Sequence, residues 1–372
     1  MRIAGALQVL MCVCLVVGWS GLEARAGQAL ATTHKAAHGS ETLSGGLSST
    51  RSSVVLRPAD VDLVKSRPGG GLNHSLEAVR LERRISARSA VVVDPGSGRM
   101  LFALNPDNPR QPASTIKVLT GLIAMQSLRD SELVPTSARA AGMPRSKIYL
   151  QAGSSYRAGD LINSILLSSA NDASVALAER IAGNEATFAR LMTSKARFLG
   201  ATNTVIRNAN GLTARGQQST ARDLAIIFHR AMQNPEFARR IGSTTVPTNF
   251  GQTLRTNNRA LWQINGTAGG KTGYTRAAQQ TYVGKFERGN RQLIVSLMGS
   301  NSMWDDLVHL VEYGFRQLDN DGLRAEARVD SAFTRRDPGL GSLASGSRVS
   351  GSRASGSSAS GAVLSEAAKS GP

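Results

Sequence analysis

Cysteine is absent from the body of this 372-residue chain: the only two, Cys12 and Cys14, lie near its start. A disulfide framework and a thiolate metal site are therefore excluded for everything downstream. The five histidines, at positions 34, 38, 74, 229 and 309, are scattered, and none lies near the motifs described below. That disfavours a Ser-His-Asp triad and a zinc centre. Aromatic residues make up only 5% of the chain, and no basic run interleaves with them. A nucleic-acid surface would lack its stacking platform. Acidic residues are outnumbered 44 to 26 by lysine and arginine, for a formal charge of +18, which favours an anionic environment.

Long apolar runs are also missing, apart from residues 3–19. Arg2 precedes that run and the small-residue site Ala24-Arg25-Ala26 follows it. Residues 1–26 read as a secretory signal peptide, with an uncleaved anchor as the other reading of a run short for a membrane span. Residues 27–80 are rich in Gly, Ser, Thr and Ala without sustained period, a spacer with one weak apolar element at 54–64. Residues 321–372, with Ser-Gly-Ser-Arg and Ala-Ser-Gly-Ser units from about 337, read as a disordered Gly/Ser-rich tail. The remaining core, 81–320, is long enough for one substantial domain.

Three short motifs stand in that core. The first is Ser114-Thr-Ile-Lys117. It opens an apolar-periodic stretch, Ile116, Leu119, Leu122 and Ile123, which predicts a buried helix starting near the serine. Residues three apart share a helix face, so Lys117 can reach the Ser114 hydroxyl. Serine needs a neighbouring base to become a nucleophile. Lysine serves if burial and a second cation depress its pKa, and Lys271 is the obvious second cation.

The second motif, Ser169-Ala-Asn171, sits between two expected helices. One is capped by Asp160; the next runs from about Asp172 to Gly183. Here a hydroxyl can pass a proton to a leaving amine, and an amide can hold a side chain or the substrate backbone. The third, Lys271-Thr272-Gly273, follows Gly269-Gly270 and precedes a hairpin of strands at 281–286 and 292–298. It is expected to be a strand along a cleft, its edge free to pair with an extended peptide. Gly273 would let that backbone approach closely. The periodic residues Phe188, Leu191, Met192, Lys195, Phe198 and Leu199, and Leu224, Ile227 and Phe228, are expected to be helix-core packing. Each motif alone would be an ordinary cap or turn; together and in order they describe one serine acyl-transfer site.

Residues from about 85 to 315 resemble the low-molecular-mass penicillin-binding proteins, serine-type D-alanyl-D-alanine carboxypeptidases. The likeness includes Ala87-Arg88-Ser89-Ala90 leading into Asp94, Pro112 to Lys117, and Ala170 to Leu177. Asn210-Gly211-Leu212, Lys271 to Thr275 and Glu312-Tyr313-Gly314-Phe315 complete it. The resemblance implies an α/β (α+β) fold of β-lactamase/transpeptidase type: an antiparallel sheet flanked by helices, beside a mostly helical subdomain. It implies that Ser114, Lys117 and Ser169 are catalytic, and that Asn171, Lys271, Thr272, Gly273 and Tyr274 bind substrate. The Ser114 and Tyr274 N–H groups would hold the carbonyl oxygen. No cofactor or metal is implied. The partners would be peptidoglycan stem peptides, with β-lactams as inhibitors, in the periplasm or cell envelope. For an exported protein the positive charge points to loose association with anionic wall polymers or membrane headgroups.

Two departures bear on specificity. Familiar carboxypeptidases place an arginine after the last core strand to hold the substrate's terminal carboxylate, and residues 299–303 here have none. Thr272, Thr275 or Arg276 could substitute, and Arg276 is the best anchor the sequence offers. Ala278-Gln279-Gln280 stands where relatives have a glycine and apolar residues. The alternatives are a D,D-endopeptidase on cross-links, a β-lactamase, and a non-catalytic wall-binding protein. A β-lactamase needs a glutamate to activate water, and residues 201–211 contain no acid at all.

Overall fold

The computed structural model describes residues 76–334, with side chains up to residue 322. The signal peptide, almost all of the spacer with its 54–64 element, and most of the tail lie outside the described residues. The elements are α1 (Leu76–Arg84), β1 (Ser89–Val93), β2 (Met100–Leu104), α2 (Lys117–Ser127) after a single 3-10 turn (Ala113–Ile116), β3 (Leu133–Pro135) and α3 (Ala138–Ala141). They continue with β4 (Ser155–Arg157), α4 (Ala158–Leu166), α5 (Asn171–Ala182), α6 (Glu185–Phe198), α7 (Ala221–Met232) and α8 (Pro235–Ile241). The last group is β5 (Thr245–Pro247), β6 (Thr253–Arg255), α9 (Ala260–Gln263), β7 (Thr267–Thr275), β8 (Gln279–Arg288), β9 (Arg291–Ser300) and α10 (Met303–Thr334).

The main sheet is antiparallel in the order β2-β1-β9-β8-β7. Successive strand residues face opposite sides, and here that alternation feeds two cores. Ala90, Val92, Leu293, Val295, Leu297, Tyr282 and Phe286 point to the layer of α1 and α10. Val91, Val93, Ile294, Met298 and Val283 point to the helical part. Helix α2 is the axis of that part and buries all eight residues from Lys117 to Ala124. A helix apolar on every side belongs inside a core, not on its surface. Lys117 is therefore carried into the interior by its neighbours.

Several boundaries differ from the sequence expectation. Helix α4 begins at Ala158, two residues before its expected cap. Asp160 instead accepts from the Asn249 backbone N–H at 3.0 Å and from its Nδ2 at 3.2 Å. On α6, Phe188 and Met192 are buried, whereas Leu191 and Phe198 are 41% and 58% exposed. The Lys195 ammonium lies over the Phe198 ring, covering it from outside. The domain also exceeds 81–320 at both ends. Helix α1 starts at Leu76, and α10 runs on through 321–334, expected to be tail. Asp319 and Asp321 tie α10 to Arg291 and Arg99. No helix among the described residues is long and apolar enough to cross a membrane.

Candidate active site

The seat of Ser114 is made by backbone packing. Ala113 adopts φ +50°, in the left-handed region, and turns the chain into the 3-10 turn that carries the serine. Pro112 O is held by both Thr115 Oγ1 and Thr281 Oγ1, at 2.6 and 3.0 Å. Two glycines close on this turn. A Cβ on Gly273 would stand 2.8 Å from Ser114 N and 2.5 Å from Thr281 Oγ1. One on Gly211, at φ +83°, would stand 2.0 Å from Ala113 O. Real Cβ atoms do not sit so close, so these two positions require glycine. The predicted close approach of β7 is present, and Gly211 makes a second one.

Lys117 Nζ lies 3.0 Å from Ser114 Oγ, 2.8 Å from Asn171 Oδ1 and 2.6 Å from Asn210 O. The last two are carbonyl oxygens, which only accept. A neutral amine can give its two hydrogens to them and offer its lone pair to the Ser114 hydroxyl. Burial, then the charge of Lys271, hold Lys117 well below the usual lysine range, with Asp172 opposing. Lys271 is itself fully buried, which lowers it to about 7, and its Nζ donates to Thr272 O at 3.0 Å.

Ser169 is buried on the cleft wall with φ +61°, a conformation a serine keeps only where its surroundings enforce it. Asn171 holds a neighbouring side chain, one of the two roles open to its amide. Its Oδ1 holds Lys117, and its Nδ2 donates to Pro144 O at 3.1 Å and Arg145 O at 2.9 Å. Its amide is thus spent on the base and on the 144–146 loop, with no donor left over for substrate backbone. The Asp172 carboxylate continues the clamp, accepting from Ile148 N and Leu150 N.

A cleft of about 760 Å³ opens above the serine, lined among others by Ser114, Ser169, Thr272, Gly273 and Tyr274. Arg276 is not in it. That residue is exposed in the turn after β7, where its carbonyl accepts from Gln279 Nε2. The cations that do line the cleft are Arg145 and Arg259, near Trp262 and Trp304. Sequence reasoning missed both arginines, because each stands in a polar loop that reads as an ordinary turn. It also missed Glu185, buried behind Asn210. For Arg259 a signal existed: it precedes Ala260-Leu261-Trp262, a short apolar group just ahead of the third motif.

A family model described as D-alanyl-D-alanine carboxypeptidase matches residues 76–302. The chain is 37% identical over 240 residues to the D-alanyl-D-alanine carboxypeptidase DacB2 of Mycobacterium tuberculosis, covering 62% of this chain and 82% of that one. It is 31% identical over 255 residues to DacF of Bacillus subtilis, covering 64% of each, so it spans under two thirds of that relative. Among solved structures, penicillin-binding protein D2 of Listeria monocytogenes in its ampicillin-bound form superposes with a TM-score of 0.57 at 28% identity, over 62% of this chain and 98% of that one.

Proposed function

Because the chain belongs to the D-alanyl-D-alanine carboxypeptidase family, we propose that it trims the terminal D-Ala from peptidoglycan stem peptides through an acyl-enzyme on Ser114. The observation that carries this reading is the set of partners around Lys117 Nζ: two obligate acceptors and one serine hydroxyl. In that frame the neutral lysine takes the Ser114 proton as Oγ attacks the carbonyl carbon of the penultimate D-Ala. The Ser114 and Tyr274 N–H groups receive the developing oxyanion, an effect on the order of 3–4 kcal/mol per donor in serine proteases. The tetrahedral intermediate collapses and the C–N bond breaks. Ser169 relays the proton from the lysine side of the site to the departing amine. Water then hydrolyses the ester and restores the serine.

A free C-terminus is favoured over an internal bond by Arg259. Its neighbour Asn258 accepts from Tyr282 OH at 3.2 Å, and Tyr282 pairs with Thr272 in the β7–β8 ladder. Arg259 therefore belongs to the Thr272 side of the edge strand. A peptide added antiparallel to β7, with its reacting carbonyl at Tyr274, points its C-terminus that way. Thr272 and Arg259 then hold the terminal carboxylate in the role expected of Arg276. Action on wall peptides places the working protein outside the cytoplasm, with residues 1–26 as its export signal. The excess positive charge supports loose attraction to anionic wall polymers or headgroups.

Intact-mass measurement after exposure to benzylpenicillin tests the reading. A persistent adduct, mapped to Ser114 and absent from Lys117→Ala, is expected. Rapid penicillin turnover without an adduct would make the protein a β-lactamase. Neither adduct nor turnover would leave a non-catalytic binder.

A further inference from the structure

We infer that Arg145 is a specificity residue that receives a second substrate carboxylate, on a residue upstream of the scissile D-Ala-D-Ala bond. This rests on the carboxypeptidase reading above and names a subset of its substrates: stem peptides with a free side-chain or branch carboxylate near that bond, in preference to amidated ones.

The first observation is the charge of the cleft. None of its lining residues is acidic, and two are arginines, Arg145 and Arg259. Some arginines elsewhere in the domain find carboxylates, Arg139 with Glu185, Arg222 with Asp107 and Arg288 with Glu312, and exposed ones such as Arg276 have solvent instead. What sets Arg145 and Arg259 apart is that they line the cleft. Arg145 and Arg259 have no ion-pair partner among the described residues. The terminal carboxylate of the substrate answers one of them, Arg259 on the Thr272 side. Arg145 is left over.

The second observation is how Arg145 is mounted. Its backbone is tethered on both sides. Asn171 donates to the carbonyls of Pro144, Arg145 and Ser146, the last through its backbone N–H at 2.7 Å. Asp172 fixes Ile148 and Leu150. The loop thus hangs from the N-terminus of α5, on the wall facing β7, while the Arg145 side chain is exposed. An anchored backbone spares the ordering of the loop on binding and leaves only the arginine side chain's own rotamer freedom to be lost. Its guanidinium can fork onto a carboxylate with two parallel hydrogen bonds, which a neutral amide cannot match.

The test uses the full chain and three penicillins: benzylpenicillin, an analogue with a carboxylate on its acylamino side chain, and the primary amide of that analogue. The acylamino side chain stands for the upstream residues. At low salt, the carboxylate form should acylate Ser114 about three- to fivefold faster than the amide form, the range open to an exposed ion pair. The ratio should fall toward one in high salt. Arg145→Glu should invert the order, and Arg145→Lys should keep a reduced preference. The same ratios should appear for stem-like peptides whose residue before D-Ala-D-Ala carries a free or an amidated carboxylate. A wild type that does not distinguish the two forms would overturn the inference, as would Arg145→Glu with the wild-type order. Absence of any benzylpenicillin adduct would overturn the carboxypeptidase reading itself, and this inference with it.

Discussion

Glu185 accepts from the Asn210 side-chain amide at 3.2 Å, and the Asn210 carbonyl takes the shortest of the Lys117 contacts, 2.6 Å. The same carboxylate oxygen accepts from Ala209 N at 3.1 Å, and the other accepts from Arg139. Glu185 therefore shapes the backbone that receives a lysine hydrogen, although it touches no reacting atom.

Glu185→Ala should leave two buried donors unmatched, at a cost of about 1–3 kcal/mol each. Thermal unfolding should show the loss, and penicillin acylation should slow with it. Glu185→Gln keeps one acceptor and should fall between the two. Wild-type acylation in Glu185→Ala would mean that Asn210 holds its place without help.

Lysine pairing sets the pH dependence. The Lys271 charge is one reason Lys117 lies low, so Lys271→Met should raise the Lys117 pKa. Acylation needs the neutral base, and its acidic limb should move to higher pH. In the wild type, Lys271 titrates near 7 when folded against an ordinary 10.5. Between those values the unfolded chain binds more protons, so stability should rise with pH. That rise should be shallower in Lys271→Met. Acylation profiles and denaturant titrations at several pH values read both effects. A limb shifted to lower pH would remove Lys271 as the depressing charge.

Gly273→Ala inserts a Cβ into the space of Ser114 N and Thr281 Oγ1. Overpacking of this kind costs about 1–3 kcal/mol. Here it should also push β7 away from the serine, so acylation should drop by more than tenfold. Crystallographic or mass-spectrometric detection of a normal adduct at the wild-type rate would contradict that geometry.

Arginine substitutions separate the two candidates for the terminal carboxylate. Arg259→Ala should slow hydrolysis of a free D-Ala-D-Ala peptide much more than that of its C-terminal amide, whereas Arg276→Ala should do neither. Steady-state kinetics on the peptide pair decides between them. Selective slowing by Arg276→Ala would return the role to the turn after β7.

Much of this was legible because the informative contacts are local or motif-borne. Ser114 and Lys117 are one helical turn apart, and the β8–β9 hairpin follows from its alternation and its Gly-Asn turn. The contacts that were missed join distant segments of unremarkable composition. Glu185 opens a helix and reads as a favourable first-turn acid, yet its carboxylate serves a loop 24 residues downstream. Asn171 was expected to hold a side chain or the substrate backbone, and nothing in its motif showed that its Nδ2 would donate to the Pro144 and Arg145 carbonyls. Helix α10 runs past residue 320, where the tail was expected to begin. Asp319 and Asp321 on it pair with Arg291 at the start of β9 and Arg99 just before β2, contacts between segments far apart in the chain.

The two glycine contacts bring the turn at 113–115 together with residues 211 and 273, which lie far from it in the chain. A form folded only locally should not hold the Ser114 turn in place, because both glycines that close on it arrive from later segments. Closing such long-range contacts costs loop entropy before they reward it, which makes them slow to form. An incompletely folded chain should thus be chemically silent, and covalent labelling by penicillin should count only the molecules that have finished folding.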